Sequence, residues 1–245
     1  MPRRRPETRI EDLIHAATSV FLEKGYRRAQ IADIAEAMGV APGTVYLYVE
    51  SKEALFDAVM RASASLKSFG TLHAPIKTPK PGATLSFIEK ALKKESRIVS
   101  LEAALKLRKT SASAELEEIV HELYTKASRS WLAIKLLERS ALDWPELAAL
   151  WFGEYRLRIL QHLTRYFESR MSSGALRQAP DPPAAARLVL EMVAVFAVHC
   201  RANDLNPGQI APDVATATVI DAIVNAYRSP ANERVQQPRK RSKKS

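Results

Sequence analysis

Residues Ile31 to Tyr48, IADIAEAMGVAPGTVYLY, decide how this chain is read. The stretch predicts two short helices broken at Gly39, with Ile34, Met38, Val40, Val45 and Tyr48 as apolar anchors and Ala35 where the helices must cross closely. Gly39 stands where the chain needs a positive φ to turn. Pro42 restarts the chain, because proline is tolerated in a first helical turn and breaks a helix interior. Pro42 to Val49 is therefore expected as a separate helix, the second of a helix-turn-helix.

The flanks extend the pattern. Ile10, Leu13, Ile14, Ala17 and Phe21 recur at helical spacing and predict an amphipathic first helix ending at Lys24-Gly25, a cation and a glycine where a helix C-terminus favours both. Ser51-Lys52-Glu53 offers an N-cap and an acidic first turn for a helix through Leu55, Phe56, Val59 and Met60. The whole run GYRRAQIADIAEAMGVAPGTVYLYVESKEALFDAV, Gly25 to Val59, resembles the N-terminal domain of the tetracycline-repressor (TetR/AcrR) family of bacterial transcription regulators. Ile34-Ala35, Gly39-Val40, Gly43-Thr44, Tyr46, Tyr48 and Ser51-Lys52-Glu53 all stand in register. The resemblance implies an all-α protein: an N-terminal three-helix helix-turn-helix DNA-binding domain plus a larger helical ligand-binding and dimerisation domain. Two departures stand out, Ala29-Gln30 before the second helix and Ala41 before the third. Both helices are expected to lack a side-chain N-cap, at a cost of about 1 kcal/mol each.

The candidate DNA contacts follow from side-chain chemistry. Ala41, Pro42 and Gly43 are small and let the backbone approach base edges, and the Thr44 hydroxyl can bond a base or a phosphate. Leu47 suits a thymine methyl. Tyr46 and Tyr48 offer hydroxyls to phosphate oxygens, and Lys52 adds a positive charge at a helix N-terminus. No Arg, Asn or Gln lies between Ala41 and Val49, so base discrimination is expected from DNA shape, from Thr44 and Leu47, and from Arg28 or Gln30.

A chain of 245 residues with 47% hydrophobic content can bury a core well beyond this head. No sustained strand-like alternation follows Val49, and Gly and Pro cluster at 70–82, 174–183, 206–212 and beyond 230, as loops between helices would. The expected organisation is a basic disordered arm (1–8), a DNA-binding domain (9–69), a helical ligand-binding and dimerisation domain (83–228) and a basic disordered tail (229–245). The formal charge of +10 fits an anionic partner. Arg3, Arg4, Arg5 and Arg9 load one end; Arg234, Arg239, Lys240, Arg241, Lys243 and Lys244 load the other. The arm suits a minor groove or a run of phosphates, or else is simply solvated. Glu191 and His199 interrupt the most hydrophobic segment and no signal-like core follows the arginines, so a cytoplasmic, nucleoid-associated protein with no membrane contact is expected.

Catalytic and metal chemistry is sparse. Cys200 is the only cysteine, and His199 beside it points about 100° away around a helix. The other histidines, His15, His73, His121 and His162, are scattered, so no metal site, no cofactor and no enzymatic activity are expected.

Periodicity predicts one helix over Leu85 to Lys109, and another after Ser113 through Leu116, Ile119, Val120, Leu123 and Tyr124 that continues past Trp131, Ile134 and Leu137. A long helix is expected from a cap at Asp143 to Gly174. Two apolar helices follow, started by Asp181-Pro182-Pro183 and by Pro212-Asp213. The resemblance implies that this terminal pair packs against its copy in a second subunit, with Leu188, Met192, Val195, His199, Val219, Ile220, Ile223, Val224 and Tyr227 as candidate dimer contacts; the alternative is that these faces close the monomer core. Two recognition helices about 34 to 36 Å apart would read a palindromic operator. The resemblance also implies a small-molecule effector, here unidentified. Candidate walls for it are Trp131, Trp151, Phe152, Tyr155 and Phe196, with His121, His162 or His199 as polar partners, although aromatics on a helical stripe equally describe a packed core. The expected function is a ligand-responsive, homodimeric repressor. An activator of the same family and a nonspecific architectural DNA-binding protein are the alternatives.

Overall fold

The computed structural model describes residues 6–65, 74–106, 111–200 and 210–229; the expected basic tail and most of the expected arm lie outside them. The elements are α1 (Pro6–Lys24), α2 (Ile31–Ala37), α3 (Pro42–Val45), α4 (Lys52–Ser65), α5 (Ala83–Glu95), α6 (Val99–Lys106), α7 (Ala112–Arg129), α8 (Trp131–Ala141), α9 (Pro145–Ala148), α10 (Leu157–Ser172), α11 (Pro182–Ala194) and α12 (Pro212–Tyr227). A π-helical turn, Ala149–Arg156, joins α9 to α10, and a second, Val195–His199, extends α11. Among the described residues extended pairing is confined to two isolated bridges, Val49 with Ile76 and Leu176 with Arg228.

The chain forms two compact units: Met1–Ser96 with Arg129–Leu157, and Arg97–Ser128 with Arg158–Ser245. In the first, Leu13, Ile14, Ala17 and Phe21 of α1 are buried with Ile34 and Ala35 of α2, Val45 of α3, and Leu55, Phe56 and Val59 of α4, so the apolar spacing read from the sequence is the core. This head includes a later part of the chain. Tyr26, Phe56 and Trp144 form a triangle of tilted rings, with Tyr26 4.6 Å from Phe56 and 4.8 Å from Trp144 between centroids, and Phe21 meets Phe56 edge-on at 5.2 Å. The Arg139 guanidinium donates to the Glu23 carbonyl at 2.8 and 2.6 Å, satisfying an acceptor that the end of α1 leaves without a helical partner. Gly25 makes this approach possible: its φ is +77° and a Cβ would lie 3.1 Å from the Arg139 carbonyl oxygen. Gly25→Ala is expected to cost about 2 kcal/mol, read as a fall of roughly 4 to 8 °C in melting temperature.

In the second unit, Leu116, Ile119, Val120 and Leu123 of α7, Ile159, Leu163, Tyr166, Phe167 and Met171 of α10, Val189 and Val193 of α11, and Val219, Ile223 and Tyr227 of α12 are buried. Phe167 and Tyr227 pack with centroids 4.9 Å apart. One ion pair lies inside: Arg170 and Glu115 are 3% and 2% exposed with Nε to Oε2 at 2.7 Å.

Three helical boundaries differ from expectation. The single helix expected over Leu85 to Lys109 is two, α5 and α6, and its last three residues lie outside the described set. Ser96 closes α5 by donating its hydroxyl to the Lys93 carbonyl at 2.9 Å; Glu122 of α7 then accepts the Val99 and Ser100 N–H groups at 2.9 and 2.8 Å and so caps α6. No local signal announces a cap from 22 residues away. The helix expected to run from Ser113 past Trp131 breaks at Ser130, whose φ and ψ are −101° and 15°. Trp144, not Asp143, precedes the first turn of α9, because the Asp143 carboxylate faces Arg28 instead.

Burial raises the Glu122 carboxyl's affinity for a proton, but the Ser100 hydroxyl and the two amides outweigh it and hold the pKa below the usual 4.5. Its contribution to stability is complete above that value and is lost as pH falls through the depressed folded-state value. Glu122→Gln should therefore flatten the fall in melting temperature between about pH 5 and pH 3 relative to wild type.

Pro182–His199 is long and apolar enough to cross a membrane by length and composition alone, with a mean hydropathy of 1.3. It nevertheless carries Arg187 and Glu191, paired at 2.6 Å, and its inner face lies in the core of the second unit.

Candidate nucleic-acid interface

The turn between α2 and α3 is built as the sequence predicts. Gly39 has φ +64°, its N–H donates to Glu36 at 2.9 Å, and the Val40 N–H donates to Ala35 at 3.0 Å. Met38 and Val40, expected as anchors, are only half-buried: they border an open cleft of about 510 Å³ shared with Arg9, Asp12 and His15 of α1. Ala41 leaves α3 without a side-chain cap, as expected. At α2 the Gln30 N–H donates to the Asp33 carboxylate at 2.8 Å, so the helix is capped from its own first turn. Asp33 also meets Lys24 at 2.9 Å, and this ammonium, followed by the Gln30 amide, holds its pKa below the ordinary range. The Gln30-x-x-Asp33 spacing, half of a capping box, carries this signal in the sequence.

The α-helical part of α3 is four residues, shorter than the expected Pro42 to Val49. Beyond Val45 the chain tightens into three-residue turns, with Leu47 N–H to Thr44 at 3.3 Å and Tyr48 N–H to Val45 at 2.9 Å. Val45 and Val49 are buried and anchor the segment, while Ala41, Pro42 and Gly43 are exposed and Thr44 and Tyr48 half-buried. Tyr46 and Leu47, neighbours in the chain, are 54% and 68% exposed. Seven of the candidate contacts thus lie on one continuous outward stretch, and Gln30 is exposed at the start of α2.

Lys52 and Arg28 are already engaged. Lys52 Nζ donates to the Arg27 and Ala29 carbonyls at 3.2 and 3.0 Å and lies 4.8 Å over the Tyr26 ring, which fixes the turn between α1 and α2. The Tyr26 hydroxyl donates to Glu53 at 3.0 Å, and burial with this carboxylate pushes its pKa up. Arg28 Nε meets Asp143 at 3.2 Å.

Of the candidate effector residues, Trp131, Trp151, Phe152 and Tyr155 belong to the first unit and Phe196 to the second. Trp151 is buried and stacked on Tyr155 at 4.9 Å and 16°, and its indole Nε1 is enclosed without a hydrogen-bond partner. Phe152 is 46% exposed and Trp131 half-buried. Three of these rings ride on the π-helical turn, a feature frequent at functional sites. Phe196 is half-buried on the second π turn; His121 and His199 are exposed and His162 half-buried. The candidate dimer residues divide. Leu188, Val195 and His199 are exposed and Met192 and Ile220 half-buried, whereas Val219, Ile223, Val224 and Tyr227 are buried within their own unit.

An all-helical protein with this head is a helix-turn-helix DNA-binding regulator. The chain belongs to the tetR family of bacterial regulatory proteins, whose model matches residues 13–59, while the model of the AefR-like transcriptional repressor C-terminal domain matches residues 116–229. Regulators of this family act in the cytoplasm. The fatty acid metabolism regulator protein of Bacillus subtilis is 38% identical over 61 residues, which are 25% of this chain and 30% of that protein. The repressor KstR2 of Rhodococcus jostii is 36% identical over 53 residues, 22% of this chain and 26% of that one. The chain thus spans less than a third of the length of these relatives. Among solved structures, the ketosteroid transcriptional regulator KstR2 of Mycobacterium tuberculosis shares the fold at 14% identity, with a TM-score of 0.54, covering 92% of this chain and 97% of that chain. A tetR-family regulator from Rhodococcus does so at 16% identity and a TM-score of 0.50, covering 89% and 96%.

Proposed function

We propose that this regulator is a homodimeric, ligand-responsive repressor that reads a palindromic operator with two copies of α3. The observation that carries the reading is the outward stretch Ala41 to Tyr48 on a packed head, with Tyr46 and Leu47 exposed. Thr44 and Leu47 are the base-reading side chains, Tyr46 and Tyr48 the phosphate contacts, and Gln30 a further polar contact beside them. Lys52 acts by holding the α1–α2 turn as much as by its charge, and Arg28 has to leave Asp143 to reach DNA. Binding assays with a palindrome from the protein's own promoter and with random duplex of equal length, across a salt series, test the reading. A preference of about a thousandfold or more is expected for a specific site, and equal affinity at every salt would make the protein architectural.

The dimer contacts proposed are Leu188, Met192, Val195 and His199, one stripe along α11 and its π-helical extension, with Ile220 of α12. Val219, Ile223, Val224 and Tyr227 serve the protomer's own core in this reading. Leu188→Lys combined with Val195→Lys should give a monomer in sedimentation and cost at least about a hundredfold in palindrome affinity, because each head must then bind alone. An unchanged dimer sinks this interface.

The effector proposed is a small, largely apolar molecule. Trp151, Phe152 and Tyr155 supply rings on a π-helical turn, and the unpartnered Trp151 N–H asks for a hydrogen-bond acceptor. An effector releases DNA only by as much as it prefers one conformation over the other.

A further inference from the structure

The sequence marks residues 70–82 only as a loop between helices, and the structure seats 74–80 of it beside the recognition segment. The Ile76 N–H donates to the Tyr48 carbonyl at 2.8 Å, the Glu50 N–H donates to the Ile76 carbonyl at 3.0 Å, and Val49 and Ile76 pair as a parallel bridge. Side chains close the same seam. Lys77 Nζ lies 2.7 Å from Glu50 Oε1, the Thr78 N–H donates to Glu50 Oε2 at 2.8 Å, and the Thr78 and Ser51 hydroxyls are 2.9 Å apart. Ser51 Oγ in turn accepts the Ala54 N–H and caps α4.

The Lys77 side chain is 74% exposed, and an ion pair so open to water adds little stability. Its consequence is electrostatic. Glu50 follows Tyr46 and Tyr48, the side chains assigned to phosphate, and a bare carboxylate there repels the backbone of the duplex. Lys77 cancels that charge, and Lys80, also exposed, leaves the strap net positive, since residues 74–80 contain two lysines and no acid.

We propose that residues 74–80 are an accessory part of the DNA interface, in which Lys77 neutralises Glu50 and Lys80 presents a cation to the phosphate strand beside the recognition segment. This rests on the DNA-binding reading of α3. The test is fluorescence anisotropy of the full chain on duplex from its own promoter, across a salt series, with melting temperatures taken in parallel. Lys77→Ala should weaken binding about tenfold at low salt, and adding Glu50→Gln should restore it to within about twofold, because the unbalanced charge is gone. Lys80→Ala should lower the slope of log affinity against log salt by about 0.9 per head. The proposal is overturned if the Lys77→Ala, Glu50→Gln pair binds as weakly as Lys77→Ala alone, if Lys80→Ala leaves the slope unchanged, or if melting temperature falls in step with affinity, which would make the strap a structural clasp. Gly43→Glu serves as the control: wild-type binding by that variant would remove the reading of α3 as the element that enters the groove, a failure distinct from that of the strap.

Discussion

Gly43→Glu should lower operator affinity at least about a hundredfold, about 3 kcal/mol, while leaving the melting temperature within about 1 °C of wild type. Gly43 is exposed, its φ lies outside the left-handed region, and a Cβ there would meet no heavy atom within 4 Å. The fold therefore accommodates a side chain, and glutamate favours a helix more than glycine does. The duplex does not accommodate it: a carboxylate in the leading turn of α3 would be desolvated among phosphates with no cation to pair it. Anisotropy and thermal melts on the same preparation separate the two effects. Retained affinity would mean that this end of α3 does not enter the groove.

The largest stability effect is expected at Arg170. Its guanidinium meets both Glu115 oxygens, at 2.7 and 3.2 Å, donates to the Ala104 carbonyl at 2.5 Å and to the Ser169 hydroxyl at 3.2 Å, and lies 5.2 Å from the Tyr166 ring centroid. One buried cation thus joins α6, α7 and α10. Arg170→Met alone would strip the buried Glu115 carboxylate of its cation, at a cost of about 3 to 5 kcal/mol, or roughly 10 °C in melting temperature for a chain of this size. Glu115→Leu with Arg170→Met should recover most of that loss, because apolar groups of similar volume replace a buried pair with little penalty. Calorimetry of the single and double variants checks both, and a single variant that costs under about 1 kcal/mol would show that Glu115 finds water or another partner.

Local signals in the sequence set most of the head. Gly39, Pro42 and the apolar spacing of α1, α2 and α4 act within a turn or two of themselves, so their consequences are visible without the rest of the chain. What escaped depends on partners distant in sequence. The Glu122 carboxylate that starts α6, the Arg139 guanidinium that ends α1 and the Ile76 amide that meets Tyr48 are set by tertiary approach, and nothing in their own neighbourhoods marks them. The candidate contacts show the same division. The outward placement of Ala41, Pro42, Gly43, Tyr46 and Leu47 is legible because a helix-turn-helix displays them by its local geometry. The sequence offers Lys52 as a contact for its charge at a helix N-terminus and Arg28 for base discrimination, and the carbonyls and the carboxylate that engage them come from elsewhere in the fold. In the terminal helices periodicity identified apolar faces, but not which side belongs to the protomer: Val219 and Ile223 are buried within it and Leu188 is not.

Trp144 and Arg139 decide how this regulator can be re-engineered. A chimaera that transplants only the leading helices onto another body would strip one aromatic neighbour from Tyr26 and Phe56 and deprive the Glu23 carbonyl of its guanidinium. The portable cassette is discontinuous, and swapping operator preference between regulators of this build requires carrying residues 129–157 along with the first 96.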